Sequence, residues 1–253
     1  MPAGIDRRRR AARPFRDIRY GVEIAMRHMR PLATRLAAAC LLAFGLAAPA
    51  AAQDDGPAER GADEVRIVAF GDSLMAGYQL PGSAAFPAVL DRALDEAGFS
   101  NVEIVNAGVS GDTAAAGLER LDWSVPEGTD GVILELGAND MLRGLDPART
   151  EETLDAIVER LSERDIPVLL AGMYAARNMG PDYVAAFDAI YPRLAEEHDL
   201  VLYPFFLEGA LGNPGLMLED GIHPSVEGVE VVVERMLPTV IRFLEERVLP
   251  GEG

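Results

Sequence analysis

Four short segments of this 253-residue chain hold residue types that can perform acyl transfer when brought together. They are Gly71-Asp72-Ser73, Asn106-Ala107-Gly108, Gly137-Ala138-Asn139-Asp140 and Asp220-Gly221-Ile222-His223-Pro224. A serine hydroxyl is a weak nucleophile until a neutral imidazole takes its proton, and that imidazole needs an acceptor on its other nitrogen. Ser73 and His223 supply the first pair, and Asp220, three residues before the histidine, can reach back to Nδ1. The tetrahedral intermediate also needs donors where its oxyanion forms, and losing one costs about 10²–10³ in rate. The backbone N–H groups of Ser73 and Gly108 and the side-chain amide of Asn139 are the candidates. Each has a plainer reading. Ser73 can be a helix N-cap, Asp220 can cap a turn, and Gly108 and Asn139 can simply end strands. The G-x-S-x-G elbow is not met, because Met75 stands where its second glycine belongs. His198, in the charged stretch AEEHDLV, is the competing base.

Such residues need a scaffold that gathers strand ends at one edge. Short apolar runs read as strands over 66–70, 102–106, 131–136, 167–171 and 200–203. Helical patterns over 84–97, 113–121, 151–164 and 182–198 alternate with them, and a last helix covers 225–248. This order predicts a three-layer α/β/α domain with a parallel sheet and right-handed crossovers. Ligands bind such sheets at the carboxyl ends of the strands. Three of the four segments directly follow a predicted strand. The fourth precedes the last helix.

Composition narrows the partners. Residues 1–52 carry ten arginines against three acids, with an apolar run, Leu36 to Ala48, and the small-residue stretch PAAAQ. That is the pattern of a secretory signal peptide, with cleavage expected after Ala52 and a periplasmic or secreted product. The apolar run is too short for a spanning helix, and Cys40 lacks the preceding leucine of a lipoprotein box. Met26 and Met29 are alternative starts to Met1. Residues 53–64 read as a flexible acidic lead-in, and 65–250 as one domain. Beyond residue 52 there are 13 arginines, no lysine and 38 acids, a formal charge near −25. Such a field repels nucleic acid and anionic surfaces and favours neutral small molecules. Cysteine is absent there, and His198 and His223 alone cannot build a multi-histidine zinc site. Leu74, Met141, Leu142, Met173, Tyr174 and Met179 are candidates for an acyl pocket, or equally for core.

The segments GDSLMAGYQLP, NAGVSGDTAAAGLERL, LELGANDMLRG, FDAIYPRLAEEHDLVLYPFFLEG and EDGIHPSVEG resemble the SGNH/GDSL hydrolase superfamily. Within it they are similar to the bacterial periplasmic thioesterase I/arylesterase branch, over residues 66–247. Ala138 departs from that branch, which often has a second glycine there. The resemblance implies a flavodoxin-like sheet of five strands and a Ser73/Asp220/His223 triad. It also implies Gly108 and Asn139 as oxyanion donors, and no metal or organic cofactor. The substrates it implies are short to medium acyl esters, aryl esters, thioesters or lysophospholipids. A monomer is expected, though the sequence does not fix the oligomeric state. Acyl-CoA, a cytoplasmic polyanion, suits the acidic chain less. A carbohydrate O-deacetylase and a non-catalytic binding module are the other readings.

Overall fold

In a computed structural model, the chain is described over residues 64–249. The expected leader, Cys40 and nearly all of the expected acidic lead-in lie outside those residues. The described chain runs β1 (Val65–Gly71), α1 (Ser73–Ala76), α2 (Phe86–Glu96), β2 (Val102–Gly108), α3 (Ala114–Ser124) and β3 (Gly131–Glu135). It continues through α4 (Ala138–Leu142), α5 (Pro147–Ser162), β4 (Val168–Ala171), α6 (Pro181–Asp188), α7 (Ile190–Glu197), β5 (Val201–Tyr203) and α8 (Val226–Phe243). A π-helical turn, Leu244–Val248, follows.

The five strands form one parallel sheet in the order β2-β1-β3-β4-β5. This is the flavodoxin-like order, as expected. β1, β3 and β4 are buried along almost their whole length, because helices cover both faces. α2 packs on α8, while α3 packs on α5 and α5 on α7. Right-handed crossovers put these two groups on opposite faces. Phe70, Leu90, Leu121, Ile133, Phe187 and Phe243 fill the space between the layers.

The predicted helix over 182–198 is two helices, α6 and α7, which meet at Ala189. Pro192 explains the break, since its ring cannot donate a helical hydrogen bond and clashes with the carbonyl four residues earlier. The short helices α1 and α4 escaped the periodicity argument because neither completes two turns.

Register then sets the site. Gly71 aligns with Gly108 on one side and with Glu135 on the other. The loops after β1, β2 and β3 therefore leave the sheet at one level. The chain reverses direction across the sheet between β1 and β3, and the crevice opens at that switch point. Ser73 follows β1, and Asn139 follows β3. Arg120 fastens the edge: its guanidinium donates to the carbonyls of Gly71 (2.8 Å) and Ala107 (2.9 Å) and pairs with Asp112.

Candidate active site

Asp72, not Ser73, caps α1, its carboxylate accepting from the Leu74 N–H at 3.0 Å. Ser73 is the first helical residue, so its own N–H has no partner within the helix. Its hydroxyl meets His223 Nε2 at 2.8 Å, and His223 Nδ1 meets Asp220 Oδ2 at 2.7 Å. The two readings of Asp220 hold together. Oδ1 accepts from the N–H groups of Ile222 (2.9 Å) and His223 (3.0 Å), folding the loop that delivers the imidazole, while Oδ2 holds Nδ1. Burial pushes the Asp220 carboxyl up, but those N–H groups and the imidazole outweigh it and bring it down to about 2. His198 lies elsewhere, paired with Asp155 of α5.

Ser73, Asn139 and His223 line a cavity of about 730 Å³, a size suited to a small organic ligand. Of the predicted acyl-pocket residues, Leu74, Met141, Leu142, Met173 and Tyr174 line it. Leu74, Met141 and Met173 are also buried in the core, so both readings apply to them. Met179 does not line it and packs against the core. It sits in a single 3-10 turn, Arg177–Met179, that presents Arg177 to the cavity instead. Tyr78, Phe205, Leu207, Leu211 and Ile222 add to the apolar walls, unmarked in the sequence because they come from loops without periodicity.

Gly108 does not meet its expectation. Its N–H donates to Asn106 Oδ1 at 2.9 Å, and it is absent from the cavity wall. A side chain at this position would collide with the backbone of Met75 and Ala76, so Gly108 lets α1 lie close over β2. Three residues on, Gly111 does line the cavity, at a left-handed φ of 88°. Its carbonyl is held by Arg143 at 2.6 Å, and its N–H has no hydrogen-bond partner among the described residues.

Two residues that sequence reasoning passed over lie beneath Ser73. Asp72 Oδ2 accepts from the Asn139 amide at 2.8 Å, leaving that amide a second hydrogen to donate. Glu135, fully buried at the end of β3, accepts from the Asp72 N–H at 3.3 Å. Its other oxygen has no hydrogen-bond partner among the described residues. The sequence signal was an acid inside an otherwise apolar strand. Burial raises the Asp72 carboxyl to about 6, against the opposing pull of Leu74, Asn139 and His223. Burial, and then the charge of Asp72, pushes Glu135 well above the usual carboxylate range.

These shifts have opposite signs in a stability profile. Asp220, depressed, contributes stability above its ordinary 3.8 that is lost as pH falls toward about 2. Asp72 and Glu135, raised, bind protons in the folded state that the unfolded chain releases, so the Asp72 contribution falls as pH rises from 3.8 through about 6 and the Glu135 contribution falls as pH rises above its ordinary 4.5. The urea midpoint should therefore decline between about pH 4 and pH 7, and Glu135→Gln should flatten that decline. Equal slopes in the two proteins would show that the acid pair does not set it.

The GDSL-like lipase/acylhydrolase family model matches residues 69–231. The chain belongs to that family. It is a serine ester hydrolase of the GDSL/SGNH class. It is 37% identical to the esterase TesA of Pseudomonas aeruginosa over 69% of this chain and 87% of the relative. It is 40% identical to thioesterase 1/protease 1/lysophospholipase L1 of Escherichia coli K12, over 67% of this chain and 80% of the relative. The crystal structure of AlinE4, a SGNH-hydrolase family esterase, is 47% identical, covers 72% of this chain and 97% of its own, and superposes with a TM-score of 0.60.

Proposed function

We propose that this GDSL/SGNH hydrolase is an exported esterase that cleaves neutral, short to medium acyl esters through an acyl-enzyme on Ser73. The observation that carries the reading is the Ser73–His223–Asp220 hydrogen-bonded line opening into an apolar cavity. In the proposed mechanism Ser73 Oγ attacks the carbonyl carbon as its proton passes to His223 Nε2. The carbonyl oxygen takes the negative charge and accepts from the Ser73 N–H, the free hydrogen of the Asn139 amide and the Gly111 N–H. Gly111 replaces Gly108 here because its N–H is unengaged at the cavity wall. The imidazolium then protonates the leaving alkoxide, and the C–O bond breaks. Water, deprotonated by His223, attacks the acyl-enzyme, and the returning proton frees Ser73 and the acid. Asp220 holds the tautomer throughout.

The relatives' names include esterase and thioesterase/lysophospholipase, and the apolar walls suit an acyl chain better than a sugar. That weighs against the O-deacetylase reading. Among the described residues no helix is long and apolar enough to cross a membrane, and export with cleavage after Ala52 remains part of the proposal.

One preparation tests it. Protein recovered from the periplasm or medium should begin at Gln53 and hydrolyse p-nitrophenyl esters of short to medium chain. An organophosphonate should leave one adduct, on Ser73. Ser110 also lines the cavity but has no hydrogen bond to His223, and should stay unmodified. An adduct on Ser110, or activity lost to a chelator and restored by a divalent ion, would overturn the mechanism.

A further inference from the structure

We propose that Tyr78 is a positioning residue for the base: the face of its ring lies against the His223 imidazole, fixes its tilt and supports the imidazolium that forms in the transition state. This rests on the reading of Ser73 and His223 given above. The two ring centroids are 4.3 Å apart, with an interplanar angle of 33°. The imidazole is held in its own plane at both nitrogens, by Asp220 and by Ser73. Neither bond restrains rocking out of that plane, nor keeps water off the ring face. The tyrosine ring does both on the side it covers.

The backbone that brings Tyr78 there is built for the purpose. The Tyr78 N–H donates to the Ser73 carbonyl at 3.1 Å, closing the helix that carries the nucleophile. Gly77 ends that helix at φ 76°, where a side chain would also strike Ala85. Gln79 then takes φ 58°, a left-handed conformation that residues other than glycine seldom adopt. Leu80 anchors the turn, its N–H donating to the Gly77 carbonyl at 2.9 Å and its side chain packing on the core. Serine, imidazole and tyrosine ring are thus referred to one short helix. The Tyr78 hydroxyl makes no hydrogen bond among the described residues, so the aromatic face is the part that acts.

The chemical consequence is differential. Neutral imidazole gains only packing from the ring. Imidazolium, formed when Ser73 loses its proton and again when water does, lies within the distance at which an aromatic quadrupole attracts a cation. An interaction stronger in the charged state lowers the barrier rather than the substrate's dissociation constant.

The test uses the mature enzyme and a soluble p-nitrophenyl ester. Tyr78→Phe keeps the face and should stay within about twofold of wild type. Tyr78→Leu should lower kcat about 3- to 30-fold with KM nearly unchanged. In a His223→Ala background the leucine should add no further loss, because the group it acts through is gone. The low-field imidazole Nδ1–H proton signal should be sharp in wild type and Tyr78→Phe and exchange-broadened in Tyr78→Leu. Tyr78 is 38% exposed, so the variants should fold. Tyr78→Met is a second apolar replacement, and a melting curve accompanies each. An effect on KM that persists without His223 would make the ring a substrate wall and overturn the proposal. So would a phenylalanine variant as slow as the leucine one. Active His223→Ala would defeat the assignment of the base itself, whereas unimpaired Tyr78→Leu beside inactive His223→Ala defeats only the role of the ring.

Discussion

Ser73→Ala should lower kcat for ester hydrolysis on the order of 10⁶-fold and leave the fold intact. The size follows from the loss of the covalent route. Without Oγ there is no acyl-enzyme, and only binding and the oxyanion donors remain, worth about 10³–10⁴ over water. Stability should hardly change, because the cap of α1 is Asp72, which keeps its bond to the Leu74 N–H. Among the described residues the Ser73 hydroxyl itself has only the His223 hydrogen bond and a long 3.5 Å approach to Asp72. His223→Ala should fall to nearly the same level, and the double variant no further, since nucleophile and base act as one unit. Asp220→Asn should be less severe than either, because the asparagine oxygen can still accept from Ile222 and His223 while the tautomer of the imidazole is lost. Turnover, melting temperature and circular dichroism on one preparation check all three. Wild-type turnover in a folded Ser73→Ala protein, or losses that add in the double variant, would remove Ser73 from the chemistry.

How much of this was legible in the sequence differed from residue to residue. The sheet was readable because β1, β3 and β4 are apolar runs of the right length with helical patterns between them. The strand-end rule then pointed to Ser73 and Asn139, which lie on either side of the switch point between β1 and β3. Asp220 and His223 were readable from their spacing of three. Gly108 was misassigned for a local reason. The pattern located the loop after β2 but not which of its N–H groups is free. Asn106 and Gly108, two apart, form a side-chain turn that occupies the Gly108 N–H, and the spacing N-x-G was there to be read. Glu135 showed itself only as an acid in an apolar strand, without a partner to give it a role, and Asp72 was hidden by standing next to the serine. Their contact depends on parallel register, which no local pattern specifies.

Asn139→Ala should lower kcat about 10²–10³-fold with little change in KM, because the amide donates to charge that exists chiefly in the transition state. The competing role, a cap that merely ends a loop, has a definite place to be checked. α4 starts from Gly137 with no side-chain cap, and Asn139 lies inside the helix with its amide directed to Asp72 Oδ2 at 2.8 Å. That contact gives the residue a structural cost of its own. Asp72 is buried and raised to about 6, and the Asn139 amide is one of the groups holding it down. Removing the amide strips a donor from a buried carboxylate, a loss of about 1–3 kcal/mol, so the melting temperature should fall as well. The fall should be larger above about pH 6, where Asp72 is ionised, than at pH 5, where a proton replaces the missing donor. The melting temperature therefore cannot separate the two roles, but turnover by folded protein can. At pH 5 and low temperature, where the variant is fully folded, the oxyanion role still requires the 10²–10³-fold deficit in kcat. A kcat equal to wild type under those conditions would leave Asn139 as a partner of Asp72 alone, with the Ser73 and Gly111 N–H groups carrying the oxyanion.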